Sequence, residues 1–135
     1  MRVFLDTNVL VSAFATRGLA ADVLRHVLAE HELLVGEVVL TELRRVLRSR
    51  IRLPIETVQE IEALLREQEA VPKPARALEI PVRDPDDRWI LASACAADAD
   101  VLVTGDHDLL DIAGKAPVRM ADPREFWELA RNRPR

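Results

Sequence analysis

The feature that most constrains this chain is an exchange of periods: short apolar, β-prone runs alternate with longer segments whose apolar residues recur every three or four positions. Arg2 to Leu5 is the first such run, and the apolar stretch Val9 to Ala15 after it parses as a helix. Leu19, Val23, Leu24, Val27 and Leu28 share one helical face, and Leu33 to Val35 gives a second strand before Gly36. Val38 to Arg50 and Ile55 to Glu69 read as two helices separated near Pro54, in the manner of a helical hairpin. Asp84 then has the features of an N-cap, with Pro85 at the first helical position and further acids in the positive first turn of a helix running to about Ala97. Val101 to Thr104 and Val118 to Met120 are candidate strands, and Pro123 to Arg131 a terminal helix. Strands joined by helical crossovers lie parallel and are covered on both faces, so the expected class is α/β with a central parallel sheet. Ala70 to Pro81, with three of the eight prolines, is the one irregular connection.

At 135 residues the chain is expected to form one domain over residues 1–135. Its 49% hydrophobic and 31% charged residues match a globular protein rather than a disordered or membrane-embedded one. A carboxylate at position 6 interrupts any apolar signal-peptide core, and no later run reaches membrane-spanning length, so a cytoplasmic location without membrane association is expected. The single cysteine, Cys95, can make no intrachain disulfide and is read as a core thiol. The net charge of −4 runs against the basic footprint of most nucleic-acid binders. Its distribution is less uniform, because five arginines and no acid lie between Arg44 and Arg52. Arg44, Arg45 and Arg48 are therefore candidates for contact with a phosphate backbone, although a solvated helix face accounts for them equally well.

Ligands bind at the carboxyl ends of strands in a parallel sheet, and Asp6 and Asp106 occupy that place after two of the expected strands. Asp6 with Asn8, and Asp106 with Asp108, form two D-x-(N/D) pairs; either alone is explained by turn and cap chemistry, but two at like strand ends suggest a site. Glu42 falls among Val38, Val39 and Val46, at the edge of an apolar helix face, where a carboxylate needs an arginine, a hydrogen-bond network or a metal. Pairing with Arg45 or Arg48 answers that need as well as a metal does. Asp87 begins an apolar face continued by Ile90, Leu91 and Ala94, whereas Asp84 suits capping and Asp86 suits solvent. Carboxylates gathered at close range raise one another's pKa unless a cation neutralises them. An all-oxygen set suits Mg²⁺ or Mn²⁺, and a metal held this way suits phosphodiester hydrolysis. His107 has no second histidine or cysteine beside it and is read as a surface residue rather than a zinc ligand.

The order and spacing of F-L-D-T-N-V-L at 4 to 10, T-E-L at 41 to 43, D-P-D-D-R-W-I-L-A-S-A from 84 and L-V-T-G-D-H-D-L-L at 102 to 110 resemble those of PIN-domain proteins. Within that family the chain is similar to the VapC-like ribonuclease toxins of type II toxin–antitoxin pairs, and the resemblance covers nearly its whole length. It implies a PIN-like three-layer α/β/α sandwich and a Mg²⁺- or Mn²⁺-dependent endoribonuclease. It also implies ligands at Asp6, Glu42, Asp87 and Asp106, with Asp108 as a fifth. Thr7 or Asn8, together with Thr104, would orient or bind around these acids. A homodimer and a cognate antitoxin, whose arginine-bearing segment reaches the acidic pocket, are implied partners beside the RNA substrate.

Two other classes stay open at this level. A HAD-like phosphatase would use Asp6 as a covalent nucleophile. That chemistry expects an Asp where Asn8 stands and a phosphate-side lysine, of which Lys73 and Lys115 are the only two in the chain. A catalytically idle binding module is the other class, and the full set of acids argues against it. With no tyrosine and two tryptophans, aromatic stacking is expected to contribute little to RNA recognition.

Overall fold

The computed structural model of the protein describes residues 1–132. In chain order the strands and helices are β1 (Arg2–Leu5), α1 (Thr7–Ala15), α2 (Leu19–Glu30), β2 (Glu32–Gly36), α3 (Glu37–Ser49), α4 (Ile55–Arg66), β3 (Glu69–Val71), α5 (Pro85–Ala96), β4 (Val101–Val103), α6 (His107–Leu110), β5 (Met120–Ala121) and α7 (Pro123–Asn132). The five strands form one sheet in the order β3-β2-β1-β4-β5, and every pairing is parallel. Helices flank this sheet, giving the expected α/β/α arrangement.

Val3, Phe4, Leu5 and the whole of Val101 to Val103 are at most 1% exposed, because the two central strands are covered on both faces. Continuous burial explains why these segments read as unbroken apolar runs rather than alternating ones. The chain builds outward from β1 to β2 and β3, then returns to place β4 and β5 on the other side of β1. The reversal leaves a crevice between the ends of β1 and β4, where Leu5 pairs with Val103. Asp6 and Thr104 are the next residues of the two strands, and Asp6 N–H donates to the Val103 carbonyl at 2.9 Å. The topology thus brings together residues 98 positions apart.

Several element boundaries differ from expectation. β3 occupies the seam between the expected fourth helix and the irregular connection; its three residues are too few to show a period, and it pairs only with β2. The last strand lies at Met120 and Ala121 rather than at Val118 to Met120. The single turn of α6 was not foreseen, and Asp106 caps it by accepting from Asp108 N–H at 2.9 Å. Cys95 is half-buried at the margin of the core rather than enclosed within it. Among the described residues, no helix is long and apolar enough to cross a membrane.

Candidate active site

Asp6 terminates β1 and caps α1, so its backbone position is set by the sheet and its side chain by the helix start. Oδ1 accepts from Thr7 N–H at 2.7 Å and Oδ2 from the Thr104 hydroxyl at 2.7 Å. Thr104 in turn accepts from Asp106 N–H at 3.0 Å, so one hydroxyl joins the acids of β1 and the β4 loop. Thr7 has a second contact: its hydroxyl donates to Glu42 Oε2 at 3.3 Å, tying α3 to the same crevice. Asp6, Thr7 and Thr104 are all at most 3% exposed. Such buried polar groups persist because each has a partner.

Asp87 enters from α5. Asp84 caps that helix by accepting from Asp86 N–H at 2.9 Å, which sets the register that leaves Asp86 exposed and turns Asp87 inward. Asp87 is buried, and its Oδ2 has no hydrogen-bond partner. Burial pushes its pKa up to about 7, reinforced by the negative charges of Asp106 and Asp6. Burial likewise raises Asp6 to about 6; its two hydrogen bonds oppose that shift, while Glu42 and Asp106 add to it. Glu42, half-buried at the edge of the α3 apolar face, is also shifted upward, chiefly by burial, with Thr7 and Arg45 acting in the opposite direction. Asp6 thus feels the charges of Glu42 and Asp106, and Asp87 those of Asp106 and Asp6.

The other sequence candidates divide. Thr7 and Thr104 belong to the hydrogen-bonded frame, whereas Asn8 is exposed on α1. Asp108 is half-buried in the first turn of α6, where its described contact is its own N–H to Asp106. His107 is exposed. The continuous arginine patch is not present as a free surface. Arg44 pairs with Glu62 of α4 at 2.8 Å, Arg48 donates to the Leu53 carbonyl at 2.8 Å, and only Arg45 lines the space beside Glu42. Consecutive helical residues are turned about 100° from one another, so arginines contiguous in sequence cannot share one face.

Beside Glu42 lies a cavity of about 290 Å³ between α3 and α5, to which Arg45, Lys73, Asp86 and Trp89 contribute. The sequence assigned Asp86 to solvent and weighed Lys73 only as a phosphatase lysine, and it did not single out Trp89. Asp86 and Trp89 do carry the i, i+3 spacing of helix neighbours, but Lys73 comes from the loop after β3 and had no local signal.

The sequence profile of the PIN domain matches residues 2–108, which contain all the acids described above. The chain belongs to the PIN domain family. No protein of curated function matches it significantly in sequence. Solved structures with this PIN fold include VapBC2 from Rickettsia felis bound to a DNA fragment from its promoter, at 20% identity and TM-score 0.64, covering 90% of this chain and 98% of that one. VapBC-1 from nontypeable Haemophilus influenzae is 19% identical with TM-score 0.62, covering 92% and 99%. FitAB bound to an IR36 DNA fragment is 17% identical with TM-score 0.63, covering 90% and 94%. These likenesses establish a shared PIN fold over nearly the whole of each chain.

The PIN-domain carboxylates provide an all-oxygen donor set. Among the described residues, no three acidic, histidine or cysteine side chains converge into a ready-made ligand shell. Mg²⁺ does not demand one, since it keeps several waters and is usually held through one or two carboxylates. The buried, unpartnered Asp87 Oδ2 and the upward-shifted Asp6 and Asp87 are what a site suited to a hard cation presents before the cation's charge is supplied.

Proposed function

We propose that this PIN domain is a metal-dependent endoribonuclease, the toxin of a toxin–antitoxin pair. The observation that carries the reading is the hydrogen-bonded frame at the ends of β1 and β4, in which Thr104 links Asp6 to Asp106 and Thr7 links Asp6 to Glu42, together with the buried Asp87, one of whose oxygens has no partner. Asp6, Asp87, Asp106 and Glu42 would hold Mg²⁺ or Mn²⁺, with Asp108 within the same loop. The ion supplies a nucleophile from water at neutral pH and offsets charge on the phosphate. The chain's own residues do the rest. Thr104 and Thr7 fix both oxygens of Asp6, and Thr7 also orients Glu42. Arg45 and Lys73 stand beside the acids to receive the phosphate backbone.

The toxin role is supported by the fold shared with the VapBC and FitAB assemblies. The occupant proposed for the acidic crevice in the resting complex is an antitoxin segment bearing an arginine, because a guanidinium satisfies paired carboxylates. A homodimer is part of the reading, with Ile51, Ile55 and Leu64 among the exposed apolar side chains available to an interface. A phosphatase with Asp6 as nucleophile is disfavoured, because both oxygens of that buried side chain already accept hydrogen bonds.

The test is cleavage of labelled single-stranded and structured RNAs by the purified chain with Mg²⁺, with Mn²⁺ and with chelator. Metal-dependent cuts that vanish in Asp6→Asn and Asp106→Asn are expected. Failure to cut any RNA while metal titration shows a filled site would refute the proposal. If Asp6→Asn left growth inhibition on expression unchanged, the binding-module reading would take its place.

A further inference from the structure

The cavity between α3 and α5 is separate from the acids' hydrogen-bonded frame yet shares Glu42 with it. Trp89, half-exposed on α5, forms part of its wall, and the Lys73 ammonium lies 4.5 Å from the indole centroid. An aromatic face with a cation at hand is what single-stranded nucleic acid uses. The flexible Lys73 ammonium, now over the ring, would swing from the indole to a phosphate as a base takes its place on the face. Three carboxylates also line the cavity, and they are not equivalent. Glu37 is engaged by Arg66 at 2.8 Å and Glu42 by Thr7, whereas no ion pair is formed by exposed Asp86 among the described residues. Asp86 stands one helical turn before Trp89, so its carboxylate can reach the edge of a ring stacked on the indole. Guanine is the RNA base whose edge offers two adjacent donors, N1–H and N2–H, to a single carboxylate.

The geometry points to a nucleobase subsite for the RNA strand, with Trp89 as the stacking platform, Asp86 selecting guanine, and Lys73 and Arg45 receiving the adjoining phosphates. This deepens the nuclease reading and rests on it for the identity of the strand. A cavity of about 290 Å³ has room for a single base, and a base can enter it only when it is not paired.

The test reads binding separately from cleavage. In a Trp127→Phe background, where Trp89 is the remaining tryptophan, indole fluorescence is followed while short single-stranded oligoribonucleotides are added in chelator. Guanine-containing strands are expected to quench it saturably and to bind more tightly than oligouridine. Trp89→Ala, read by anisotropy of labelled RNA in the natural Trp127 chain, is expected to weaken binding about tenfold or more, with Trp89→Phe restoring most of it. Asp86→Ala is expected to abolish the preference for guanine while leaving oligouridine binding in place. In cleavage assays Trp89→Ala should raise KM more than it lowers kcat. An unquenched indole, or equal RNA affinity in a folded Trp89→Ala chain, overturns the subsite even where cleavage is intact. Quenching by an arginine-bearing peptide but not by RNA assigns the cavity to a protein partner and overturns it as well. Guanine-selective quenching without any RNA cleavage would sustain the subsite and sink the nuclease reading instead.

Discussion

At the residue scale, burial alters the protonation of the crevice acids. Burial holds protons on Asp6 up to about pH 6 and on Asp87 up to about pH 7, far above the ordinary aspartate value of 3.8. The folded chain then binds more protons than the unfolded chain between about pH 4 and pH 7. The stability these two groups contribute is therefore fully present below about pH 4 and is lost as pH rises through 6 to 7. Thermal denaturation of chelator-treated protein is expected to show a midpoint that falls across that window. Asp87→Asn removes one of the two buried charges, so its midpoint at pH 8 should rise by roughly 3 to 6 °C, equivalent to about 1 kcal/mol, and the slope should flatten. A midpoint lower than that of the parent at pH 8 would show that the unpartnered Oδ2 is not a burden. The proposed metal would compete with these protons, so Mg²⁺ or Mn²⁺ affinity measured by calorimetry should increase from pH 5.5 to 8 with proton release. Asp6 and Asp87 were legible as strand-end and helix-start acids, whereas Thr7 and Thr104 were indicated only by the family resemblance, because hydroxyl partners leave no spacing signature.

At the element scale, α3 shows how one helix serves two purposes. Its Arg44 joins Glu62, which also accepts from Arg66, while Arg66 reaches back to Glu37; this exposed network ties α3 to α4. Networks of this exposure contribute little, so Arg44→Ala should cost under about 1 kcal/mol in chemical denaturation and leave RNA affinity unchanged. Arg45→Ala, one position along, should weaken RNA binding several-fold in the same anisotropy assay, because Arg45 faces the cavity. Equal effects of the two substitutions would restore the uniform patch that the sequence suggests. Gly36, between β2 and α3, is required for a packing reason. A Cβ there would lie 2.9 Å from Cζ of Phe4, whose side chain is wholly buried and cannot withdraw. Gly36→Ala is expected to destabilise by about 1 to 3 kcal/mol in denaturant titration, with partial recovery when Phe4→Leu is added. The helices and the central strands were readable from period, whereas β3, three residues long, carries too little pattern to be read and β5, two residues long, was expected two residues too early.

At the scale of the whole molecule, a net charge of −4 coexists with a site proposed to receive a polyanion. Two cations, Arg45 and Lys73, line the cavity, so few counterions are displaced on binding. The dependence of log K on log salt for single-stranded RNA should be shallow, with a slope of about −1 to −2, measurable by anisotropy between low and physiological salt. A much steeper slope would place the main phosphate track elsewhere, on arginines assigned here to the fold. The parallel α/β class, the central strands, the helix caps and the acids at strand ends are written in the chain because periodicity and capping are local properties. The tertiary structure decided which of three arginines meets the site and that Lys73 stands over Trp89. Those outcomes depend on the rotation of each helix against its neighbours and on segments distant in sequence, so no local stretch of the chain encodes them.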